Sequence, residues 1–484
     1  MSSCGTPPFA LAQWALTSDA KECLAVTYRV QTPTTDEVIE TFPTATTEEI
    51  ENTVITADET SKSWGQVGIE KRAAIVAKAA ELFDARKRDL AEIIAEEMGK
   101  PLVEGIEEAE FAAEIFKYYA DNGPNFAADQ EIPTNSAGRA MIRRLPIGAL
   151  LGVMPWNFPY YQVARFAAPN LMLGNTIILK HAEICPRSAL AISQILNDAG
   201  LPQGAYNNVF ASHDQIADMI ANPRIQGVSL TGSERAGAII GAQAGKNLKK
   251  AVLELGGSDP YVVLDTKDVQ AAARLAWETR MYNTGQACNS NKRLIVMADI
   301  YDEFVAELVE IAQQMKPVDP KEMDGTDTHV YGPLSSRAAA ERLDEQLRIA
   351  LQEGAKLHAG GALADDTAYF SPAVVTGIPR GSDSFYEEFF GPVATVYKVE
   401  SDEEALEMAN DCHFGLGGAV FSEDSERAEA IAKRLAVGMA NVNTPAGEGA
   451  ELPFGGVKRS GFGRELGPLA MDEFVNKQMY FVAN

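Results

Sequence analysis

Cys288 is the residue whose type and setting point most directly to chemistry. It lies in the loop N-T-G-Q-A-C-N-S (283–290), between a helical pattern over 271–281 and an apolar run over 293–297. A lone cysteine is most often a small buried hydrophobic residue. Small polar neighbours and a glycine instead favour an accessible thiolate that a ligand can approach closely. The loop therefore predicts a nucleophilic thiol.

Glu254 is the candidate general base. It ends the apolar run A-V-L-E-L (251–255), and Gly256 and Gly257 follow. A carboxylate at that position has little access to water, which predicts a raised pKa and a general-base role. A buried ion pair with Lys249 or Lys250 is the alternative, and the pattern by itself favours neither.

Asn157 is the candidate donor to a developing negative charge. In G-V-M-P-W-N-F-P (152–159) two prolines, Pro155 and Pro159, bracket Trp156 and Asn157. Prolines fix φ and remove backbone donors, so the loop is rigid and the carboxamide is free to donate. Such a donor at the end of a strand suits an oxyanion hole. An asparagine that merely closes a turn is the alternative.

Three short features suggest a nucleotide site. G-S-E-R-A-G (232–237) follows the run G-V-S-L and opens a helical pattern, so the backbone amides near Gly232 and Ser233 could receive a phosphate. It is not a G-x-G-x-x-G fingerprint, and a glycine before a helix is often only a turn. Lys180, at the end of T-I-I-L-K, and Glu183 add a cation and an acceptor for ribose hydroxyls.

The elements that must position these residues are short apolar runs separated by helical patterns. Runs that are apolar at every residue are typical of strands covered by helices on both faces, so the sequence predicts an α/β fold with three-layer, doubly wound parallel sheets. Ligands then bind at the carboxyl ends of the strands. The runs lie at 149–154, 176–180, 207–210, 227–230, 251–255, 261–264, 293–297, 393–397, 418–421 and 439–442.

The flanking segments carry less information. The glutamate-rich stretch 101–120 is interpreted as a solvated helix face and not a metal site. Residues 121–140 are rich in Gly, Pro and Asn and predict a connector. The tail 474–482 alternates like an edge strand with no obvious partner nearby, which favours pairing between subunits. The N-terminus around Cys4 and Cys23 is expected to be irregular.

Composition excludes several function classes. A chain of 484 residues exceeds the size at which one core usually stops growing, so more than one packed unit is expected. The net charge of −26 disfavours nucleic acid and anionic membranes as partners. Scattered cysteines and histidines predict no disulfide framework and no metal site. With no leader-like or membrane-spanning run, a cytoplasmic protein is expected.

Five motifs in order resemble the NAD(P)-dependent aldehyde dehydrogenase superfamily. W-N-F-P-Y-Y-Q-V-A-R and L-K-H-A (179–182) are most similar to bacterial succinate-semialdehyde dehydrogenases, and the resemblance covers residue 28 to the C-terminus. It implies a dinucleotide-binding domain (1–127 and 147–254), a catalytic domain (255–471) and an oligomerisation extension (128–146 and 472–484) of a homodimer or homotetramer. The motifs are P-W-N-F-P, L-E-L-G-G (253–257), G-Q-A-C (285–288), E-E-F-F-G-P (387–392) and P-F-G-G-V-K-R-S-G-F-G-R-E (453–465).

The resemblance also implies roles for individual residues. Cys288 matches the nucleophile, Glu254 the general base and Asn157 the oxyanion donor, acting with the Cys288 backbone N–H. The implied reaction passes through a thiohemiacetal and a thioester, with hydride transferred to the nicotinamide and no metal. The implied cofactor contacts are Pro155, Trp156, Lys180, Glu183, Gly232, Ser233, Leu255, Glu388 and Phe390.

The implied substrate is an aldehyde, with succinic semialdehyde favoured. Arg165 matches an arginine that pairs with the distal carboxylate of that substrate. Two further anion contacts of the family, an arginine and a serine, are missing, because Tyr282 and Gly449 stand at their positions. Tyr160 and Tyr161 are expected near the mouth of the site. A bulkier aliphatic or aromatic aldehyde is therefore the alternative, with Tyr161 as a substrate contact in either case. Arg165 could instead form a structural ion pair.

Glu183 favours NAD over NADP, because its carboxylate would repel a 2′-phosphate, although Arg187 one turn further on could bind such a phosphate. A cysteine hydrolase or thioesterase using Cys288 and Glu254 is a remote alternative. The set of Lys180, Glu183 and Gly232 argues against it. A silent scaffold is disfavoured because nucleophile and base are both present.

Overall fold

The computed structural model describes residues 27–484. Its helices are α1 (Thr47–Trp64), α2 (Ile69–Ala85), α3 (Lys87–Met98), α4 (Leu102–Phe126), α5 (Pro159–Leu173), α6 (Pro186–Asp198), α7 (His213–Ala221), α8 (Glu234–Lys246), α9 (Val269–Met281), α10 (Ala298–Gln314), α11 (Arg337–Glu353), α12 (Asp383–Tyr386), α13 (Asp402–Asn410) and α14 (Ser425–Ala432).

The strands are β1 (Tyr28–Gln31), β2 (Val38–Phe42), β3 (Gln130–Ile132), β4 (Gly138–Pro146), β5 (Ala149–Met154), β6 (Thr176–His181), β7 (Tyr206–Asn208), β8 (Ile225–Thr231), β9 (Lys250–Glu254), β10 (Pro260–Val263), β11 (Arg293–Met297), β12 (Lys316–Pro317), β13 (Val330–Tyr331), β14 (Lys356–Ala359), β15 (Ala373–Thr376), β16 (Val393–Val399), β17 (Phe414–Gly415), β18 (Gly417–Phe421), β19 (Met439–Val442), β20 (Val457–Lys458), β21 (Gly461–Phe462) and β22 (Val475–Ala483).

The first large sheet has the order β21-β9-β8-β5-β6-β7 and is parallel except for β21. Alternate residues of its central strand enter different cores. Leu150 packs among α2, α4 and α5, whereas Ala149 and Leu151 pack among α1, α7 and α8. Burial on both faces explains why this strand is apolar at nearly every position. The carboxyl ends of β5, β8 and β9 lie together, which brings Asn157, Gly232 and Glu254 to one edge.

The second large sheet has the order β14-β15-β16-β11-β10-β18-β19 and is parallel except for β14. It is also buried on both faces, since Ile295 and Leu294 on β11 belong to different cores. The predicted α/β class with doubly wound sheets is confirmed. The predicted boundary at residues 254 and 255 falls between β9 of the first sheet and β10 of the second.

The tail forms a small third sheet, and one expectation about it was wrong. β22 pairs with β4 of the same chain from Val475 opposite Pro146 to Ala483 opposite Gly138, and β3 lies beyond β4. A partner strand is therefore present within the chain, contrary to the expectation. That partner lies more than 300 residues earlier in the sequence, so local alternation could not reveal it.

Two other expectations need correction. The predicted connector begins too early, because α4 continues to Phe126 with Pro124 in its last turn. The glutamate-rich helix face is not wholly solvated, because the Glu108 carboxylate is buried against the Lys100 ammonium. The first 26 residues, with Cys4 and Cys23, lie outside the described residues. Among the described helices, none combines the length and the apolar character that crossing a membrane requires.

Candidate active site

The loop that carries Cys288 has an unusual backbone. Asn283, Thr284 and Gly285, which follow α9, have φ values of 52°, 53° and 75°, so three consecutive residues occupy the left-handed region. That region is costly for residues other than glycine. At position 285 a Cβ atom would lie 2.4 Å from the carbonyl oxygen of Gly391, so only glycine fits. Cys288 itself is partly exposed at the end of this loop.

Hydrogen bonds hold this strained loop and join it to Asn157. Glu104 on α4 accepts from the Asn283 backbone N–H at 2.7 Å, and burial raises the pKa of Glu104 to about 8. The Asn283 carboxamide donates to the Asn157 carbonyl at 2.9 Å. Asn157 Nδ2 in turn donates to the Gln286 carbonyl at 3.0 Å. The structure therefore places Asn157 against the loop, two residues before the thiol.

The orientation of the Asn157 side chain is set by Gln162. The Gln162 Nε2 atom donates to Asn157 Oδ1 at 2.9 Å, which leaves Nδ2 as the donor end of the Asn157 amide. One N–H of that amide is used by the Gln286 carbonyl, and the second remains for an oxyanion. Asn157 does more than close its own turn, because its side chain bridges two separate loops.

Glu254, at the end of β9, is buried, and neither carboxylate oxygen has a hydrogen-bond partner. Burial raises its pKa well above the ordinary range, the nearby Glu465 carboxylate raises it further, and Arg165 opposes both effects. The alternative ion pair is absent: Lys249 donates to the Asn222 carbonyl, and Lys250 lies 3.3 Å from Glu473. A desolvated, unpartnered carboxylate is what a general base requires.

Arg165 on α5 is fully buried. Its Nε atom lies 2.7 Å from Glu465 Oε2, and its Nη1 atom donates to the Tyr161 hydroxyl at 3.2 Å. The guanidinium lies against the rings of Tyr161 and Phe454, at 4.6 and 4.4 Å from their centroids. The structure thus shows the ion pair that the sequence left as the alternative, and Arg165 does not line the cavity at Cys288.

A cavity of about 190 Å³ opens beside Cys288. Four aromatic side chains line it, and two of them, Phe158 and Tyr282, stack with their ring centroids 6.1 Å apart. Three glutamates, Glu107, Glu108 and Glu448, also line it, and burial raises the pKa of both Glu107 and Glu448. Sequence reasoning named Tyr161 and Tyr282 but missed Glu107, Phe111 and Glu448, because α4 and the 443–449 loop carry no motif. The wall consists mainly of Glu107, Phe111, Phe158, Tyr161, Gln162, Tyr282, Asn289 and Glu448.

A second cavity, of about 300 Å³, brings together three of the predicted cofactor residues, Trp156, Glu183 and Phe390. Trp156 and Phe390 meet edge to face with their centroids 5.8 Å apart. Lys180 Nζ pairs with Glu183 at 2.5 Å. Although burial opposes it, this ammonium lowers the pKa of Glu183, which therefore stays ionised. An aromatic wall beside a fixed carboxylate fits an adenine ribose.

Arg187 is not available to a phosphate in this structure. Its guanidinium pairs with Glu40 at 2.6 Å and with Glu96 at 2.5 Å.

The turn at Gly232 and Ser233 offers a phosphate only the amides of the first turn of α8, because the Gly232 N–H already donates to the Glu254 carbonyl at 2.9 Å. Ser233 caps α8 by accepting from the Ala236 N–H at 3.3 Å, so the amides of the first turn point past the carboxyl end of β8. Gly237 allows α8 to lie close to Leu255, because a Cβ atom there would be 2.5 Å from Leu255 Cδ1. These contacts fit the phosphates of a dinucleotide, with Pro155 at the neighbouring end of β5.

Glu388 lies on the side of the site nearest Cys288. Its Oε1 atom accepts from the Gly257 N–H at 3.1 Å and lies 3.1 Å from the ammonium of Lys292. A Cβ atom at Gly257 would be 2.5 Å from the Cys288 carbonyl oxygen, so the segment after Glu254 packs directly on the thiol loop. The segment after Glu254, the loop of Cys288 and the side chain of Glu388 therefore meet at Gly257. Lys292 was missed, since a lysine before an apolar strand carries no signal by itself.

Comparison with known proteins identifies the family of this chain. Residues 21–480 match the model of the aldehyde dehydrogenase family. A succinate-semialdehyde dehydrogenase [NADP(+)] of Deinococcus radiodurans is 48% identical over 92% of this chain and 93% of its own. The succinate semialdehyde dehydrogenase [NAD(P)+] Sad of Escherichia coli is 38% identical over 92% and 96%.

Among solved structures, succinic semialdehyde dehydrogenase from Streptococcus pyogenes in complex with NADP+ superposes with a TM-score of 0.91. It is 40% identical and covers 94% of this chain and 100% of its own. The doubly wound sheets agree with this superposition, and the chain belongs to the aldehyde dehydrogenase family.

Proposed function

We propose that this enzyme oxidises an aldehyde to its carboxylic acid with NAD(P), using Cys288 as the nucleophile. The observation that carries the proposal is that the chain segments of Cys288, Asn157 and Glu254 meet beside two cavities. The Cys288 loop is bonded to the Asn157 carboxamide through Gln286, and it packs on Gly257, three residues after Glu254. One cavity opens at the thiol, and the other is lined by the cofactor residues Trp156 and Glu183.

The chemistry follows from these positions. The Cys288 thiolate adds to the carbonyl carbon, and the free N–H of Asn157 stabilises the oxyanion of the thiohemiacetal. A bound nicotinamide supplies the hydride acceptor. Glu254 then takes a proton from the water that attacks the resulting thioester. The carbon–sulfur bond breaks, the acid leaves and the thiol is regenerated, so aldehyde, water and oxidised cofactor give acid, reduced cofactor and a proton.

Succinic semialdehyde is the proposed substrate, and the relatives named above support it. Arg165 supports it indirectly. Its N–H donates to the Tyr161 oxygen, so the hydrogen of that hydroxyl is free to donate to a substrate carboxylate in the cavity. The positive charge of Arg165 behind the Tyr161 ring strengthens such a bond.

A bulkier, uncharged aliphatic or aromatic aldehyde is the second candidate. The ring stack of Phe158 and Tyr282 favours it, and the carboxylates of Glu107 and Glu448 disfavour an anion in the same cavity. A panel of succinic semialdehyde, hexanal and benzaldehyde, assayed for kcat/KM in wild type and in Tyr161→Phe, separates the two candidates. If Tyr161→Phe lowers kcat/KM only for succinic semialdehyde, that substrate is supported, whereas equal decreases for all three aldehydes favour the uncharged ones.

For the cofactor, we propose a preference for NAD. Support comes from the ionised Glu183 beside Lys180 and from the engagement of Arg187 by Glu40 and Glu96. Relatives named for NADP+ stand against it. The ratio of kcat/KM with NAD to kcat/KM with NADP measures this preference, and a higher value with NADP contradicts the proposal.

We also propose a homodimer or homotetramer that assembles through the third sheet. The side chains of Met479, Tyr480 and Phe481 on β22 are 65%, 42% and 40% exposed, although they are large and apolar. Sedimentation of wild type and Phe481→Glu tests this assembly. We place the enzyme in the cytoplasm, where its free thiols at Cys185, Cys288 and Cys412 remain reduced.

The decisive experiment for the activity follows the absorbance of reduced nicotinamide with each aldehyde. A signal in wild type that disappears in Cys288→Ala supports the dehydrogenase. No signal with any aldehyde and either cofactor overturns it. Release of acid from a thioester without cofactor, in the absence of that signal, would favour the hydrolase alternative.

A further inference from the structure

Lys292 is a buried cation that the reaction outlined above does not use. It lies four residues after Cys288, just before β11, and it is 1% exposed. Burial of an ammonium is costly unless charge and hydrogen bonds compensate it. Here two hydrogen bonds and one ion pair compensate the ammonium. It donates to the carbonyl oxygens of Ala287 at 2.7 Å and of Cys288 at 2.8 Å, and it lies 3.1 Å from Glu388 Oε1.

These three contacts connect two parts of the active site. The two hydrogen bonds end on the backbone of the thiol loop, one of them on Cys288 itself. The ion pair is with Glu388 Oε1, and the same oxygen also accepts from the Gly257 N–H in the segment after Glu254. Movement of the ammonium therefore alters both the backbone next to the thiol and the carboxylate on the cofactor side.

The thiol needs such a cation. Burial raises the pKa of Cys288 to about 11, so few molecules would carry a thiolate at neutral pH. The charged and titratable groups that face it come from separate elements. Arg165 and Lys292 favour the thiolate, whereas Glu388 and Asp259 disfavour it, and Tyr161 lies in the same wall. Arg165 is already paired with Glu465. The Arg280 guanidinium also donates to the thiol loop, at the Gly285 carbonyl and the Ser290 hydroxyl, but Lys292 is the cation that bonds to the Cys288 carbonyl itself.

We propose that Lys292 is a positioning residue that fixes the Cys288 loop through its two carbonyls and stabilises the Cys288 thiolate by its charge, with Glu388 as the counter-charge that limits this effect. The inference rests on the proposed function in taking Cys288 as the nucleophile. The alternative is that Lys292 and Glu388 form a purely structural pair. Such a pair would affect folding but would not set the acidity of the thiol.

The test measures the pH dependence of Cys288 alkylation by iodoacetamide in the protein without cofactor, with mass spectrometry to confirm the site. Lys292→Met removes the charge with little change of volume, and Lys292→Arg retains it. Lys398→Met, at an exposed lysine on β16, is the matched control. We expect Lys292→Met to shift the midpoint to higher pH and to slow alkylation at pH 7.5 by about tenfold or more, at an unchanged high-pH plateau. Lys292→Arg should stay near wild type.

Glu388→Gln should shift the pH midpoint of Cys288 alkylation in the opposite direction. This variant keeps the proposal testable if Lys292→Met does not fold. Loss of the counter-charge leaves the ammonium unbalanced, so the alkylation midpoint should move to lower pH. Coincident midpoints for wild type and Lys292→Met, or a midpoint for Glu388→Gln that is unchanged or higher, would overturn the proposal. Since no cofactor or aldehyde is present, these outcomes are distinct from a failure to reduce nicotinamide, which would instead overturn the proposed function.

Discussion

Glu254→Gln is expected to stabilise the protein at alkaline pH while it blocks release of the product. Both oxygens of the Glu254 carboxylate are buried without a hydrogen-bond partner, close to a second buried carboxylate at Glu465. The folded state raises the pKa of Glu254, so folding favours the protonated form. The associated stability is present at low pH and is lost as the pH rises through the raised pKa. Glutamine cannot ionise and does not lose it.

The size of the effect follows from the missing partners. A buried polar group without a partner costs about 1–3 kcal/mol, and more when it is charged. We therefore expect Glu254→Gln to gain about 1–3 kcal/mol relative to wild type between pH 5 and pH 9. Burying the new amide costs the same free energy at both pH values. This cost therefore cancels when the stability difference between variant and wild type at pH 5 is subtracted from that at pH 9.

Thermal unfolding of wild type and Glu254→Gln at pH 5 and pH 9 measures this change, with the exposed Glu303→Gln on α10 as the control. In the same variant, a burst of reduced nicotinamide should persist while steady turnover falls by about 10²–10⁴-fold, because only hydrolysis needs the base. A Tm difference that does not depend on pH would refute the burial argument. Loss of the burst would refute the assigned role.

Three further outcomes are expected. Asn157→Ala should lower kcat by about 10²–10³-fold at unchanged cofactor affinity, measured by steady-state kinetics and cofactor titration, because one oxyanion donor is lost. Glu183→Ser should shift the ratio of kcat/KM towards NADP, and an unchanged ratio would argue against repulsion of the 2′-phosphate by this carboxylate. Lys100→Met should destabilise the fold by about 3–5 kcal/mol in thermal unfolding, because it leaves the buried Glu108 charge unpaired, whereas Lys78→Met at an exposed pair should have little effect.

The strand pattern could be predicted closely because burial on both faces imposes a local rule. The runs 149–154, 293–297 and 439–442 coincide with β5, β11 and β19. Where an element is not buried on both faces, its observed ends differ from the predicted ones. The run at 207–210 ends as a strand at Asn208, since β7 is a short strand at the edge of its sheet. Helix α4 extends through Pro124 because its buried face continues past the Gly- and Pro-rich residues.

The residues of the candidate site likewise fall into two groups, those visible in the sequence and those that only the structure reveals. Cys288, Glu254 and Asn157 stood out because each follows or precedes an apolar strand beside glycine or proline, and that setting is visible along the chain. Lys292, Gln162 and Glu465 did not, because their importance depends on residues that are distant in sequence. Glu465, for example, is 300 residues from Arg165, and no spacing rule connects them.

The sequence by itself determined the sheet class and the family and predicted the chemistry of the thiol loop, because periodicity, glycine positions and motif order are properties of neighbouring residues. The tertiary structure alone decided which charges are paired. It placed Arg165 against Glu465 and away from the cavity, joined β22 to β4, and placed the Lys292 ammonium against two carbonyl oxygens and the Glu388 carboxylate. The physical reason is that electrostatic and packing energies depend on distances in space, and those distances exist only once separate segments have come together.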